Sequence, residues 1–209
     1  MRIVKEAEER KNEILDAAEM LFGSKGFDNT STNDILSKVG IARGTLYYHF
    51  KSKEDILDAM IERMTERLMA AAVKIAKDES VDLLERLSRT IIALNVSGDV
   101  GTEMMEQMHK PQNALMHQKV QERLLTCIVP VMAELAEEGI RQGIFYTDYP
   151  MQAAEMLMVY SSEAFDSQRM QSEEEKQQRI LGFIYNAERI LGMEQGALQE
   201  TIMVIFRNT

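Results

Sequence analysis

The chain has 209 residues, enough for one large domain or two small ones, and its 45% hydrophobic and 28% charged residues are ordinary for a soluble globular protein. Its formal net charge of −10 excludes a surface that is basic throughout. No stretch approaches the roughly 20 apolar residues of a bilayer span, Met1–Glu6 turns acidic too soon for a signal peptide, and Cys127, the only cysteine, excludes an intrachain disulfide.

Nearly every segment has the period of a helix. Ile14, Leu15, Ala18, Leu21 and Phe22 share one apolar face of a first helix, which Gly23–Gly26 ends. A second begins at Ser31, whose hydroxyl can cap the amide of Asp34, and it turns Ile35, Leu36 and Val39 inward. Gly40 makes a turn, and a short helix follows from about Ala42 to Phe50. Ser52, with Glu54 and Asp55 behind it, opens a long helix carrying Leu57, Met60, Ile61, Met64 and Leu68.

Past Asp78, Ser80 is expected to cap a helix with Leu83, Leu84, Leu87, Ile91 and Leu94. Asn95–Gly101 breaks the pattern, and a Met-rich segment, Glu103–Lys110, runs to Pro111. A long helix over about Asn113–Glu138 is expected to kink at Pro130, with Gly139 and Gly143 closing it. Pro150 starts another helix, Ser172 the next, and Leu198, Ile202 and Ile205 mark a short terminal one. No alternating strand pattern appears, so the fold class is all-α.

The net charge is unevenly spread. Up to Lys53 there are nine Lys/Arg against eight Asp/Glu, and the rest of the chain carries 15 against 26. An acidic body with a locally basic tip still permits nucleic-acid binding, because screening cuts interactions off beyond roughly 8–10 Å. The tip holds two short helices meeting at Gly40, with Ile35, Leu46 and Phe50 available as a small core. What remains outside the second of them is Arg43, Gly44, Thr45, Tyr47, Tyr48 and His49, a donor-rich face in the arrangement of a helix-turn-helix. Arg43 can offer a bidentate fork to guanine, Thr45 suits a phosphate or a thymine methyl, and both tyrosines can reach phosphates. Gly44 costs about 1 kcal/mol in a helix relative to alanine, which close approach of the backbone to DNA would explain. His49 and Lys53 are expected phosphate clamps, as are Thr30 and Ser31 at a helix N-terminus.

Arg10, Ile14-Leu15, Ala17-Ala18, Leu21-Phe22, Gly26-Phe27, Thr30-Ser31, Asp34-Ile35, Gly40-Ile41, Gly44-Thr45-Leu46-Tyr47, His49-Phe50 and Ser52-Lys53-Glu54 together resemble the N-terminal domain of the TetR family. The likeness covers about residues 10–60, with Leu36 and Val39 where small alanines are usual and Ala42 in place of the usual serine cap. It implies an N-terminal three-helix DNA-binding domain over residues 1–53, and a helical effector-binding and dimerisation domain over 54–209.

It further implies a repressor released from a pseudopalindromic, double-stranded DNA operator by a small effector, with the homodimer built on helices of about 150–168 and 173–191. Met104, Met105, Met108, Met116, Met132, Met156 and Met158 lie in segments that would line an effector pocket, as does Tyr160, which favours a hydrophobic ligand. His109 and His117 complete no metal-ligand spacing. With no phosphate loop, dinucleotide fingerprint or nucleophile elbow, neither an enzyme nor a cofactor is expected, and the address is the cytoplasm. An effector-independent architectural DNA binder remains the alternative.

Overall fold

The computed structural model describes residues 2–94, 110–165 and 172–207. Among them are nine α-helices, one 3-10 turn and no strands. The helices are α1 (Arg2–Lys25), α2 (Thr32–Val39), α3 (Arg43–His49), α4 (Lys53–Ala76), α5 (Leu83–Leu94), α6 (Ala114–Arg141), α7 (Pro150–Ala164), α8 (Glu173–Ile190) and α9 (Gln199–Arg207). By contact the chain forms two compact units, one made of residues 2–66 and 110–123, the other of 67–94, 124–165 and 172–207. The division falls inside α4 and inside α6.

In the first unit, α1 buries Ile14, Leu15, Ala18 and Phe22, and it packs against α2. It stops at Gly26, in the left-handed region at φ 87°, whose N–H donates to the Phe22 carbonyl at 3.0 Å. A capping box starts α2: Ser31 accepts from the Asp34 amide, and the Asp34 carboxylate accepts from the Ser31 amide. Gly40, at φ 74°, ends α2 and donates to the Leu36 carbonyl at 2.9 Å. Ala42 leads into α3 without a side-chain cap, so α3 is held by Leu46 and Phe50, both buried. The hydroxyl of Ser52 accepts from the Asp55 amide at 3.0 Å and opens α4, which buries Ile56, Leu57, Met60 and Ile61. Arg63 ties α4 to Asp16 and Glu19 of α1, at 2.7 and 3.0 Å. The first turns of α6 bury Met116 and Val120, and Lys119–Asp58 and Arg123–Glu62 pair them with α4.

The second unit is a helical bundle in which α9 packs on α5 and α8, and α7 on α8. Ser80 does not cap α5. Its hydroxyl donates to Asp78, and the cap is Asp82, whose carboxylate accepts from the Leu84 amide at 2.9 Å. A serine two residues further from the helix cannot reach its free amides, whereas Asp82 lies directly before Leu83. The helix α6 continues through Pro130. Gly139 lies within α6, and Gly143, at φ 71°, is the residue that stops it. A Cβ on Gly139 would sit 2.2 Å from the Phe145 ring, so glycine here lets that ring fold back onto the helix. Arg86 is 3% exposed, donates to the Ala76 carbonyl at 3.0 Å, and forms a two-pronged pair with Glu138. It thereby fastens α5, α6 and the end of α4 to one another. No helix among the described residues is long and apolar enough to cross a membrane.

Candidate nucleic-acid interface and core cavity

The helix α3 has two unlike faces. Leu46 and Phe50 are buried, while Arg43, Gly44, Tyr47 and Tyr48 are exposed, Tyr48 to 78%. Thr45 and His49 are half-buried at its margins, and the His49 ring meets Tyr48 edge-on at 5.0 Å. The Arg43 guanidinium lies 5.5 Å from the centre of the Tyr47 ring, one turn along the helix. It lowers the Tyr47 pKa below the usual phenol value by hydrogen bonding to the hydroxyl, with a smaller contribution from Thr32. Nothing lies within 4 Å of where a Gly44 Cβ would be, so packing inside the chain does not require glycine at this position.

The remaining candidates have local work. Thr30 is 1% exposed, and its hydroxyl donates to the Gly26 carbonyl at 2.8 Å, so it is not offered to a phosphate. Ser31 is exposed, but the anion site at the start of α2 is filled by the chain's own Asp34 carboxylate. Lys25 pairs with Asp34 at 2.8 Å and, as the largest cause, holds that carboxyl well below its usual range. The Lys53 ammonium donates to the Phe27 carbonyl at 2.7 Å and lies 4.1 Å from the centre of the Phe27 ring. Lys53 is thus a brace for the turn before α2, with two of its three N–H groups still available.

That turn is held from a second side by residues the sequence pattern did not mark. Asn113 is fully buried, accepts from the Phe27 amide at 2.6 Å and donates to the Phe22 carbonyl at 3.4 Å. The Gln112 carbonyl accepts from the Asp28 amide at 3.3 Å, and the Gln112 side chain packs where a Gly26 Cβ would be. Phe27 and Asn113 are 86 residues apart in sequence, and no periodicity reports such a contact.

A cavity of about 100 Å³ lies in the second unit, walled by Leu87, Met132, Phe145, Leu157, Phe183 and Ile202 among others. Ser161 is the sole polar side chain among its described lining residues. Met132 and Met158 line it. Met156 and Tyr160 do not, being 59% and 50% exposed, and Met116 is buried in the first unit. Tyr160 stands behind the wall, stacked on Phe183 at 5.9 Å. Met104, Met105, Met108 and His109 lie outside the described residues. The cavity is instead formed by inward stripes of α5 to α9, whose aliphatic and phenylalanine residues look in sequence like any other core face.

The family model for bacterial regulatory proteins of the tetR family matches residues 14–60, and a tetracyclin repressor-like C-terminal domain matches 97–183. The chain is 33% identical over 92 residues to the HTH-type transcriptional repressor KstR2 of Mycobacterium tuberculosis, covering 44% of this chain and 46% of that one. To the HTH-type transcriptional regulator TtgR of Pseudomonas putida it is 29% identical over 91 residues, 44% and 43% of the two chains. The match thus spans less than half the length of these curated relatives. Similarity of fold extends further. RolR, solved in complex with resorcinol, has a TM-score of 0.63 at 17% identity and 95% coverage of both chains. An ArpA-like gamma-butyrolactone receptor has 0.56 at 18% identity and 97% coverage of both. From the reading head through the helical body, the chain belongs to the TetR family of bacterial regulatory proteins, a family of transcriptional regulators and not of enzymes.

Proposed function

We propose that this protein is a sequence-specific DNA-binding transcriptional regulator, a repressor that leaves a pseudopalindromic operator when a small hydrophobic molecule fills the cavity of its body. The observation that carries the reading is the division of α3, with Leu46 and Phe50 buried and Arg43, Gly44, Tyr47 and Tyr48 turned outward. A helix of this size in the major groove contacts three or four base edges, and Arg43 is the group suited to a guanine. Tyr48, Thr45, His49 and the spare N–H groups of Lys53 would hold the phosphates. The α7 and α8 residues Met151, Met156, Val159, Tyr160, Leu181 and Tyr185 are exposed apolar groups, which supports pairing of two copies through these helices. Two heads on a two-fold axis would meet half-sites one helical turn apart or a multiple of it. The bound resorcinol of RolR and the naming of another neighbour as a gamma-butyrolactone receptor support a small-molecule effector for the body. Such an effector acts only through its differential affinity for the bound and released states. The place of action, with the DNA, would be the cytoplasm.

The test is fluorescence anisotropy of labelled DNA from upstream of the gene against scrambled DNA, at two salt concentrations. A preference of several kcal/mol for the native sequence is expected. Arg43→Ala should cost roughly 1–3 kcal/mol and relax discrimination at one base position. Equal affinity for native and scrambled DNA, or Arg43→Ala without effect on the ranking of operator variants, would remove the reading.

A further inference from the structure

We propose that the molecule held by the second unit's cavity is compact, uncharged and about one ring in size, and that it carries an O–H group selected by Ser161. This rests on reading the body as the effector-binding part, and it specifies the chemistry of that effector.

Size comes first. An apolar cavity of roughly 150 Å³ takes up a benzene ring. At about 100 Å³, this one is of the order of a single ring, taken up with adjustment of a flexible wall residue such as Met158. Charge comes second. The described lining residues include no Lys, Arg, His, Asp or Glu. An ionised group buried among Leu87, Leu157 and Ile202 would lose its hydration without gaining a counter-charge, which costs several kcal/mol. Shape favours a ring, because Phe145, Phe183 and Phe206 contribute to the wall. Phe183 and Phe206 are themselves fixed by Phe165, whose ring centre is 5.6 Å from one and 4.5 Å from the other.

The hydroxyl requirement follows from Ser161. Its Oγ donates to the Met158 carbonyl at 3.0 Å within α7, so with that hydrogen used the residue has lone pairs to offer a molecule in the cavity. A ligand donor completes this oxygen. A ligand with only an acceptor, or none, leaves the oxygen without a donor in an apolar space.

Three probes of nearly the same outline separate these features: para-cresol, toluene and para-toluate, the last ionised at neutral pH. Affinities for the full-length protein are measured by ligand-observed NMR, and the same compounds are tested for release of operator DNA by anisotropy. Para-cresol is expected to bind about five- to tenfold more tightly than toluene, and para-toluate at least tenfold more weakly than para-cresol. Ser161→Ala should abolish the preference for para-cresol over toluene while binding toluene at least as tightly as the wild type, which also shows that the cavity is intact. Tight binding of para-toluate, failure of all three to bind, or an unchanged preference in Ser161→Ala would each overturn the inference. Release of DNA by para-toluate alone would refute the ligand class and keep the effector reading. The expected binding order without any release of DNA would refute the effector reading and keep the ligand class.

Discussion

Asn113 offers a direct test of how the reading head is held. Replacing it with alanine removes the acceptor that stands 2.6 Å from the Phe27 amide in a fully buried position. The Phe27 N–H then has neither protein nor water to bond, at a cost of about 1–3 kcal/mol. The second bond, from Asn113 to the Phe22 carbonyl, is long at 3.4 Å, and that carbonyl keeps the Gly26 N–H at 3.0 Å, so its loss adds little. The void left by the amide group, a few tens of Å³ at roughly 24 cal/mol per Å³, adds about 1 kcal/mol. The sum is about 2–4 kcal/mol, confined to the first unit. Urea unfolding followed by circular dichroism measures the global change, since the protein contains no tryptophan. Hydrogen exchange at the Phe27 amide measures the local one. A midpoint change worth under about 0.5 kcal/mol, together with unchanged protection of that amide, would show that the contact does not brace the turn.

Gly44→Ala separates folding from DNA binding by sign. The new methyl meets no atom within 4 Å and should stabilise α3 by about 0.5–1 kcal/mol, while weakening operator affinity because the backbone can no longer approach the groove; a more stable protein with unaltered affinity would exclude a contact role for Gly44. Ala42→Ser supplies the side-chain cap that α3 lacks, at a residue already in extended backbone (φ −73°, ψ 151°), and should raise stability by about 1 kcal/mol in thermal unfolding. Glu138→Gln leaves the 3% exposed Arg86 without its counter-charge and should cost about 2–3 kcal/mol at neutral pH, at the low end for a buried pair because Glu138 keeps 21% exposure. Hydrogen bonding and charge from Arg86 lower the Glu138 pKa, so the wild-type pair stabilises above the ordinary glutamate pKa and loses that contribution as pH falls through the depressed value. Glu138→Gln should therefore show a flatter loss of stability in acid; an acid limb as steep as wild type would refute the assignment.

Legibility differed by kind of residue. The α2–turn–α3 element was readable because its determinants are local: a capping serine, a left-handed glycine at 40, and a pair of apolar residues four apart. Lys53 and Thr30 have partners that no local pattern reports. Their types suit phosphates, but each also donates to a carbonyl within the fold, which takes up the one hydroxyl hydrogen of Thr30 at Gly26 and leaves Lys53, bonded to Phe27, with two N–H groups to spare. The cavity was missed in detail because methionine content marks adaptable surface without saying where a void lies. The wall belongs mostly to Leu, Ile, Ala and Phe on inward stripes.

The sequence by itself determined the helical class, most helix starts and stops, the exposed face of α3, and the family, since all of these follow from periodicity, capping residues and one contiguous motif. Tertiary structure alone decided that residues 110–123 pack with the reading head, that Arg86 and Glu138 fasten three helices, and that the inward stripes of α5 to α9 leave a space between them. The physical reason is range. A cap or a helical face is set by neighbours within four residues, whereas a buried asparagine finding an amide 86 residues away, or a void between helices, depends on how whole elements close on one another.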